Sequence, residues 1–114
     1  MTAVDHLTPL TEASYYILIS LVEPLHGYGI MQKVEALTGG RVTIGPGTLY
    51  GALGNLEAAG LIRRCPEADG GDRRKAYVLT ERGRRVAAAE IARLEEMAGH
   101  GRRLLRSGGV GDGR

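Results

Sequence analysis

The side chains best suited to contact another molecule lie within residues 45–64. Thr48, Tyr50, Gly51 and Asn55 alternate there with apolar residues, and no Lys or Arg occurs between residues 45 and 62. An asparagine amide can pair with adenine in the major groove of DNA, and a threonine can contact several bases. A tyrosine hydroxyl can bind a phosphate. We therefore predict that these four residues contact DNA, although the Tyr50 ring can equally pack on the preceding helix.

The apolar residues of the same stretch predict a helix that presents those side chains on one face. They follow the three-and-four spacing of a buried stripe, namely Leu49, Ala52, Leu53 and Leu56. Pro46 suits the first turn, Thr48 is a second plausible N-cap, and Gly60 provides a left-handed stop. The helix is predicted from Gly45 to Ala59. Each of its two interior glycines lowers helix stability by about 1 kcal/mol relative to alanine. Glycines at such positions favour a helix face that another molecule approaches closely.

A basic cluster follows at a predicted turn. Arg73, Arg74 and Lys75 are consecutive, and they come directly after a segment, residues 69–72, that combines two glycines with Asp69 and Asp72. A hairpin there could lie against the DNA backbone or place arginine in the minor groove. The alternative is a solvated hairpin whose basic residues pair with the two aspartates.

Three weaker phosphate candidates lie nearer the start of the chain. Lys33 lies in the helix that precedes the predicted reading helix (residues 45–59), and Arg41 lies between the two helices. Tyr28 lies between two glycines at a predicted helix start, where backbone N–H groups could meet a phosphate; a packed aromatic in a turn is the alternative. Residues 1–62 carry two basic and five acidic residues, so the positive charge of the chain, +2 overall, lies beyond the predicted reading helix.

The remaining periodicities predict further elements on both sides of that helix. Two helices precede it, Thr11–Val22 and Tyr28–Leu37, and the second directs Ile30, Met31, Val34 and Leu37 inward. His26 and Gly27 form a predicted turn between them. Three short strands are predicted at residues 41–44, 61–65 and 74–79, with a loop at 66–71.

A final helix is predicted from Thr80, and its apolar residues repeat as a heptad seam. The seam comprises Ala87, Ile91, Leu94, Ala98, Gly101 and Leu105. We predict that all of these except the glycine form a dimer interface, and the alternative is that the helix packs back on its own domain. The glycine-rich residues 107–114 are expected to be a disordered tail.

Composition excludes several classes of protein. A chain of 114 residues is expected to be one domain, and no apolar run is long enough to span a bilayer. The lone Cys65 favours a reducing cytoplasm, and a small core residue is a better interpretation of it than a redox switch. His6, His26 and His100 lack the spacing of metal ligands. No catalytic constellation or phosphate loop occurs, so we predict neither an enzyme nor a cofactor.

Three motifs together resemble the PadR family of transcriptional regulators. They are His-Gly-Tyr-Gly-Ile at 26–30, Gly-Thr-Leu-Tyr-Gly-Ala-Leu at 47–53 with Leu-Glu-Ala-Ala-Gly-Leu-Ile at 56–62, and Asp-Arg-Arg-Lys-Ala-Tyr-Val-Leu-Thr at 72–80. The resemblance extends from about residue 10 to residue 106, and the length matches the short branch with a single C-terminal helix. It implies a mostly α, α+β fold: a winged helix-turn-helix domain at 10–79 and a dimerisation helix at 80–106.

The resemblance also implies a function. Family members bind DNA under ligand control, usually as repressors, so the expected partners are double-stranded DNA, a second copy of the chain and a small-molecule effector. A homodimer implies a near-palindromic operator. Ala76 and Val78 depart from wing positions that are often aromatic and charged, and the absence of tryptophan excludes an indole-lined pocket. The rival hypothesis is a winged-helix protein-interaction module without DNA binding, which the uncharged reading helix and acidic first half favour.

Overall fold

The computed structural model describes residues 8–68 and 74–109. Within them, four α-helices and three short strands follow the order α1, β1, α2, α3, β2, β3, α4. The helices are α1 Glu12–Ser20, α2 Gly27–Leu37, α3 Pro46–Ala58 and α4 Glu81–Leu104, and the strands are β1 Leu25–His26, β2 Ile62–Arg64 and β3 Ala76–Leu79. A 3₁₀ turn, Pro66–Ala68, follows β2. The first three helices with the hairpin of β2 and β3 form a winged helix-turn-helix, as predicted.

The core lies between α1, α2 and α3, where each helix contributes a stripe of aliphatic side chains. Leu49, Leu53 and Leu56 of α3 are buried against Ile17 and Leu18 of α1 and their neighbours. The predicted stripe of α3 is therefore confirmed. Leu37, predicted to point inward, is instead exposed at the last turn of α2, beyond the buried Val34.

The segment 41–44 was predicted to be a strand, and that prediction is wrong. Its side chains do alternate, with Ile44 buried and Thr43 exposed, but no strand of the described residues pairs with it. The Val42 N–H instead donates to the Thr38 hydroxyl at 3.0 Å. Alternation in a sequence specifies which side chains are buried, whereas a strand also needs a neighbouring backbone.

The sheet contains a further strand, β1, that was not predicted; its second residue, His26, was predicted to form a turn with Gly27. β1 pairs with β3 in antiparallel register, with Leu25 opposite Tyr77 and His26 opposite Ala76. The sheet order is β1-β3-β2, so β3 lies in the centre. The tip of the wing, residues 69–73, lies outside the described residues.

The turn at Gly60 ends α3, leads into β2 and contacts the start of α4. Gly60 has a φ of +78°, and the Leu61 N–H donates to the Leu56 carbonyl at 3.0 Å, which is the bond of a Schellman motif. Thr80 then ties α4 to this turn. Its hydroxyl accepts from the Gly83 N–H and donates to the Gly60 carbonyl at 2.7 Å.

Gly83 allows α4 to lie directly on that turn. A Cβ at Gly83 would be 2.0 Å from the Leu61 carbonyl oxygen and 2.8 Å from Leu79 Cδ1. Real Cβ atoms do not approach backbone so closely, so the first turn of α4 could not take this position with any other residue. No pattern in the sequence indicated a role for this glycine.

The first half of α4 is further attached to the domain through a buried carboxylate. Glu90 is 4% exposed; it accepts a hydrogen bond from the Leu10 N–H at 2.6 Å and two from the Arg93 guanidinium. The Arg93 hydrogen bonds, assisted by that of Leu10, hold the pKa of Glu90 below its usual value despite burial. The helix ends in a π-helical turn, Leu105–Gly109, so residues 107–109 continue the helix instead of beginning a tail. Residues 110–114 lie outside the described part.

Candidate nucleic-acid interface

The exposed face of α3 carries all four residues that were predicted to contact bases. Thr48, Tyr50, Gly51 and Asn55 are exposed, whereas Leu49, Ala52, Leu53 and Leu56 are buried. The face is also unusually bare. A Cβ added at Gly51 or Gly54 would meet no atom of residues 8–68 or 74–109 within 4 Å, so packing among these residues does not require the two glycines.

The N-termini of α2 and α3 both lack a side-chain cap. α3 begins at Pro46 after Gly45, and α2 begins at Gly27 after His26; neither preceding residue accepts a backbone N–H with its side chain. The interpretation of Thr48 as a cap is therefore wrong, because Thr48 lies inside the first turn. Uncapped N–H groups and the positive end of the helix dipole favour an anion at each of these ends.

Tyr50 packs on the preceding helix, which is one of the two roles that the sequence left open; its contact with DNA stays a prediction. Its ring lies on the start of α2, so closely that a Cβ at Gly27 would be 2.5 Å from the Tyr50 hydroxyl oxygen. Tyr50 is nevertheless 57% exposed, so part of its side chain remains accessible beside the α3 face. Tyr28, 65% exposed, lies next to it at the first turn of α2. The sequence did not predict the close contact of Tyr50 with Gly27. Its only signal is the glycine of the motif His-Gly-Tyr at 26–28.

Basic residues of the wing complete this side of the molecule. A cavity of 370 Å³ separates α2, α3 and β3, and its lining includes Tyr28, Tyr50, Arg74 and Lys75. Arg74 and Lys75 are exposed. Arg73 was predicted to act with them, but it lies outside the described residues. The structure therefore brings together the face of α3 that lacks Lys and Arg, the start of α2, and the basic residues Arg74 and Lys75 that precede β3.

Lys33 and Arg41 are placed differently from the other candidates, because each is engaged by an acidic side chain. Lys33 donates to Glu23 at 2.9 Å and to the Ser20 carbonyl at 3.3 Å. Arg41 binds Glu12 and the Tyr16 hydroxyl, and the Glu12 contact raises the pKa of Arg41. These pairs reduce the positive field that either residue could offer a phosphate. Their predicted contact with DNA stays a prediction.

The second half of α4 exposes a row of apolar side chains. Ile91 and Leu94 are 40% and 41% exposed, and exposure rises along the helix to 76% at Leu105. Ala98 is exposed as well. Ala87 differs from the rest of the predicted seam because it is buried in the core of its own domain. Beside this row, α1 and α4 border an apolar groove of 540 Å³.

Three other expectations from the sequence concern chemistry away from this surface. Burial raises the pKa of the Cys65 thiol, assisted by its hydrogen bond to Glu67, so the group is held in the unreactive protonated form. The described residues contain no group of three or more side chains that could hold a metal ion. No helix among them is long and apolar enough to cross a membrane.

Comparisons with known proteins point to one family. The sequence model of the transcriptional regulator PadR-like family matches residues 17–89. A 37.1 kDa protein of transposon TN4556 from Streptomyces fradiae is 37% identical over 89 residues, which are 77% of this chain and 24% of that protein. The chain thus spans about a quarter of the length of that relative.

Solved structures of the same family are similar in fold. A PadR family regulator from Eggerthella lenta is 29% identical, with a TM-score of 0.69 over 82% of this chain and 80% of that one. Bacillus subtilis PadR, solved in complex with operator DNA, is 25% identical, with a TM-score of 0.60 over 73% of this chain and 48% of that one.

Proposed function

We propose, on the premise that this chain belongs to the PadR-like family of transcriptional regulators, that it is a homodimeric repressor which binds a near-palindromic operator. The chain is a transcriptional regulator and not an enzyme. In the proposed complex α3 enters the major groove, and the base of the wing and the start of α2 contact the backbone on either side.

The observation that carries this proposal is the bare outward face of α3, which bears small and polar side chains and no Lys or Arg. Its buried stripe fixes the helix on the domain, so Thr48 and Asn55 are presented from a rigid support. Two glycines that no internal packing requires leave the helix backbone uncovered. A face with amide and hydroxyl groups and no basic residue suits base edges better than phosphates. The one charged residue of α3 is the exposed Glu57, which would repel a phosphate. The phosphate contacts then fall to the uncapped helix ends, Tyr50 and Lys75.

A homodimer is supported by the exposed row on α4. Burying Ile or Leu fully contributes about 1.5–3 kcal/mol. Since Ile91 and Leu94 are already more than half buried in one subunit, each gains only part of that, about 0.6–1.2 kcal/mol, from an interface. The gain is doubled because a two-fold interface contains each residue twice. Ala87, buried in its own subunit, adds little to the interface.

Selection of bound sequences from a random duplex pool tests the proposal. We expect enriched sequences to contain two inverted half-sites whose centres lie about one helical turn, or a multiple of it, apart. The Asn55→Ala variant should lose about 1–3 kcal/mol of specific binding and relax the preference at one base position in each half-site. A conserved preference in this variant would remove Asn55 from the base-reading residues.

The rival function, a protein-interaction module, makes the opposite prediction for the same experiment. The acidic first part of the chain, with a net charge of −3 over residues 1–62, is the observation that favours it. Failure of the wild-type protein to retain any duplex at low salt would support the rival and refute the proposed function.

A further inference from the structure

The cavity between α2, α3 and β3 contains a histidine to which the proposed function gives no role. His26 is the last residue of β1 and the N-cap of α2, and it lines this cavity of 370 Å³. We infer that the cavity takes one backbone phosphate of the operator and that His26 binds this phosphate in its protonated form. The inference rests on the proposed function, to which it adds a contact residue and a dependence on pH.

The first argument is a buried polar atom without a partner. Nε2 of His26 is buried and has no hydrogen-bond partner among residues 8–68 and 74–109. Although His26 occupies the N-cap position of α2, its side chain accepts no backbone N–H there. Buried polar atoms in native proteins are nearly always paired, so this nitrogen requires an explanation. A ligand that binds in the cavity supplies one.

The second argument is charge, which indicates that the ligand is an anion. Besides His26, the titratable side chains that line the cavity are Tyr28 from α2, Tyr50 from α3, and Arg74, Lys75 and Tyr77 at β3. No acidic residue within the described ranges lines it. The first N–H groups of α2, which lack a side-chain cap, add the positive end of the helix dipole. The cavity therefore offers positive charge and hydrogen-bond donors from three elements.

The position of the cavity indicates that the anion belongs to DNA. The Tyr50 side chain joins α3 to the start of α2, because its hydroxyl oxygen would lie 2.5 Å from a Cβ at Gly27. The cavity lies at this junction, beside the helix that is proposed to enter the major groove. DNA-binding proteins contact backbone phosphates with hydroxyl groups, basic side chains and helix N-termini, and all three of these surround His26.

Protonation of His26 follows from the same arrangement. Histidine changes its charge between about pH 5 and pH 8, and the imidazole donates from both ring nitrogens only when it is protonated. Without DNA, the charged side chains that line the cavity are basic, which opposes a further positive charge. A bound phosphate adds a negative charge and favours the protonated ring. Operator binding should therefore take up a proton at His26, and affinity should rise as pH falls.

Operator titrations by fluorescence anisotropy from about pH 5.5 to about pH 8 test this proton uptake. The chain has three histidines, so the control with His6→Gln and His100→Gln retains only His26. Affinity of the wild type and of this control should rise by up to about tenfold per pH unit for each subunit as pH falls. The His26→Gln variant keeps a side-chain N–H but cannot become charged, so it should lose most of this dependence. A wild type without the dependence, or a His26→Gln variant that keeps it, would overturn the inference.

Uncharged methylphosphonates, placed one at a time in the operator backbone, test whether the ligand is a DNA phosphate. At one position in each half-site, the replacement should weaken wild-type binding near pH 6 by about tenfold or more, as expected for the loss of a charge-assisted hydrogen bond. It should weaken His26→Gln much less and should abolish the pH dependence of the wild type. At other contacted phosphates, both proteins should lose affinity equally. If no position distinguishes the two proteins, the cavity binds no operator phosphate and the inference is wrong.

Calorimetry of the wild type measures the proton uptake without any variant, so the test does not depend on the folding of His26→Gln. Titration of the operator in two buffers with different ionisation enthalpies gives the number of protons bound, and we expect a net uptake near pH 6.5. A wild type that selects an operator but takes up no proton refutes this inference alone. A wild type that binds no duplex refutes the proposed function together with it.

Discussion

Alanine substitution at the two glycines of the α3 face separates folding from recognition. Gly51 and Gly54 occupy helix interior positions where a Cβ would meet nothing within 4 Å. With no clash, the effect on folding is the difference in helix propensity, about 1 kcal/mol in favour of alanine at each position. For a domain of this size, 1 kcal/mol corresponds to a rise in Tm of about 4 °C. Gly51→Ala and Gly54→Ala should therefore each stabilise the protein.

The same substitutions should weaken DNA binding. A methyl group on the face that enters the major groove holds the helix away from the base edges, and the loss of one good base contact costs about 1–3 kcal/mol, or roughly 5- to 150-fold in affinity. Thermal denaturation and a fluorescence-anisotropy titration with the selected operator measure the two effects on one sample. Because the expected effects have opposite signs, misfolding cannot produce the loss of binding.

The matched control removes a methyl from an exposed helix position away from α3. Ala36→Gly, near the end of α2, should lower stability by up to about 1 kcal/mol and leave operator affinity unchanged. The reasoning about the α3 face would be refuted if the two alanine variants bound the operator as tightly as the wild type. Destabilisation by either variant would refute the conclusion that nothing packs on the glycines.

Three further predictions concern the attachment and pairing of α4. Gly83→Ala should destabilise the protein by about 1–3 kcal/mol or more in chemical denaturation, despite better helix propensity, because its Cβ would overlap the Leu61 carbonyl; a stabilised variant would contradict this. Glu90→Gln should remove a pH dependence of stability: the Arg93 contact lowers the pKa of Glu90, so its contribution is present above the unfolded-state value and is lost as pH falls through the lower folded-state value. Identical acid-unfolding midpoints for variant and wild type would contradict that contribution. Leu94→Asp should make the protein monomeric in sedimentation and sharply reduce operator affinity, since one half-site is lost; a variant that stays dimeric would show that the subunits meet without this residue.

Local patterns in the sequence determined much of this protein. The stripe of α3 and its stop at Gly60 were predictable because a helix fixes which residues share a face and a left-handed residue favours glycine. The four candidate contact residues of α3 followed from the same geometry, since the positions that the core does not use must lie outward. Thr80 was likewise predictable as the start of α4, because its hydroxyl caps the first turn.

The tertiary structure decided which segments meet. Alternation at 41–44 could not reveal that the strand beside β3 is Leu25–His26, because a ladder depends on a distant backbone. Nothing in the local sequence showed that Gly27 accommodates Tyr50, that Gly83 lies on the Leu61 carbonyl, or that Glu90 binds the Leu10 N–H. These contacts join residues from 22 to 80 positions apart. The sequence pattern of α4 is the same whether its apolar face packs on its own domain or against a second subunit. Only the tertiary structure shows which of its apolar residues the domain buries and which remain exposed.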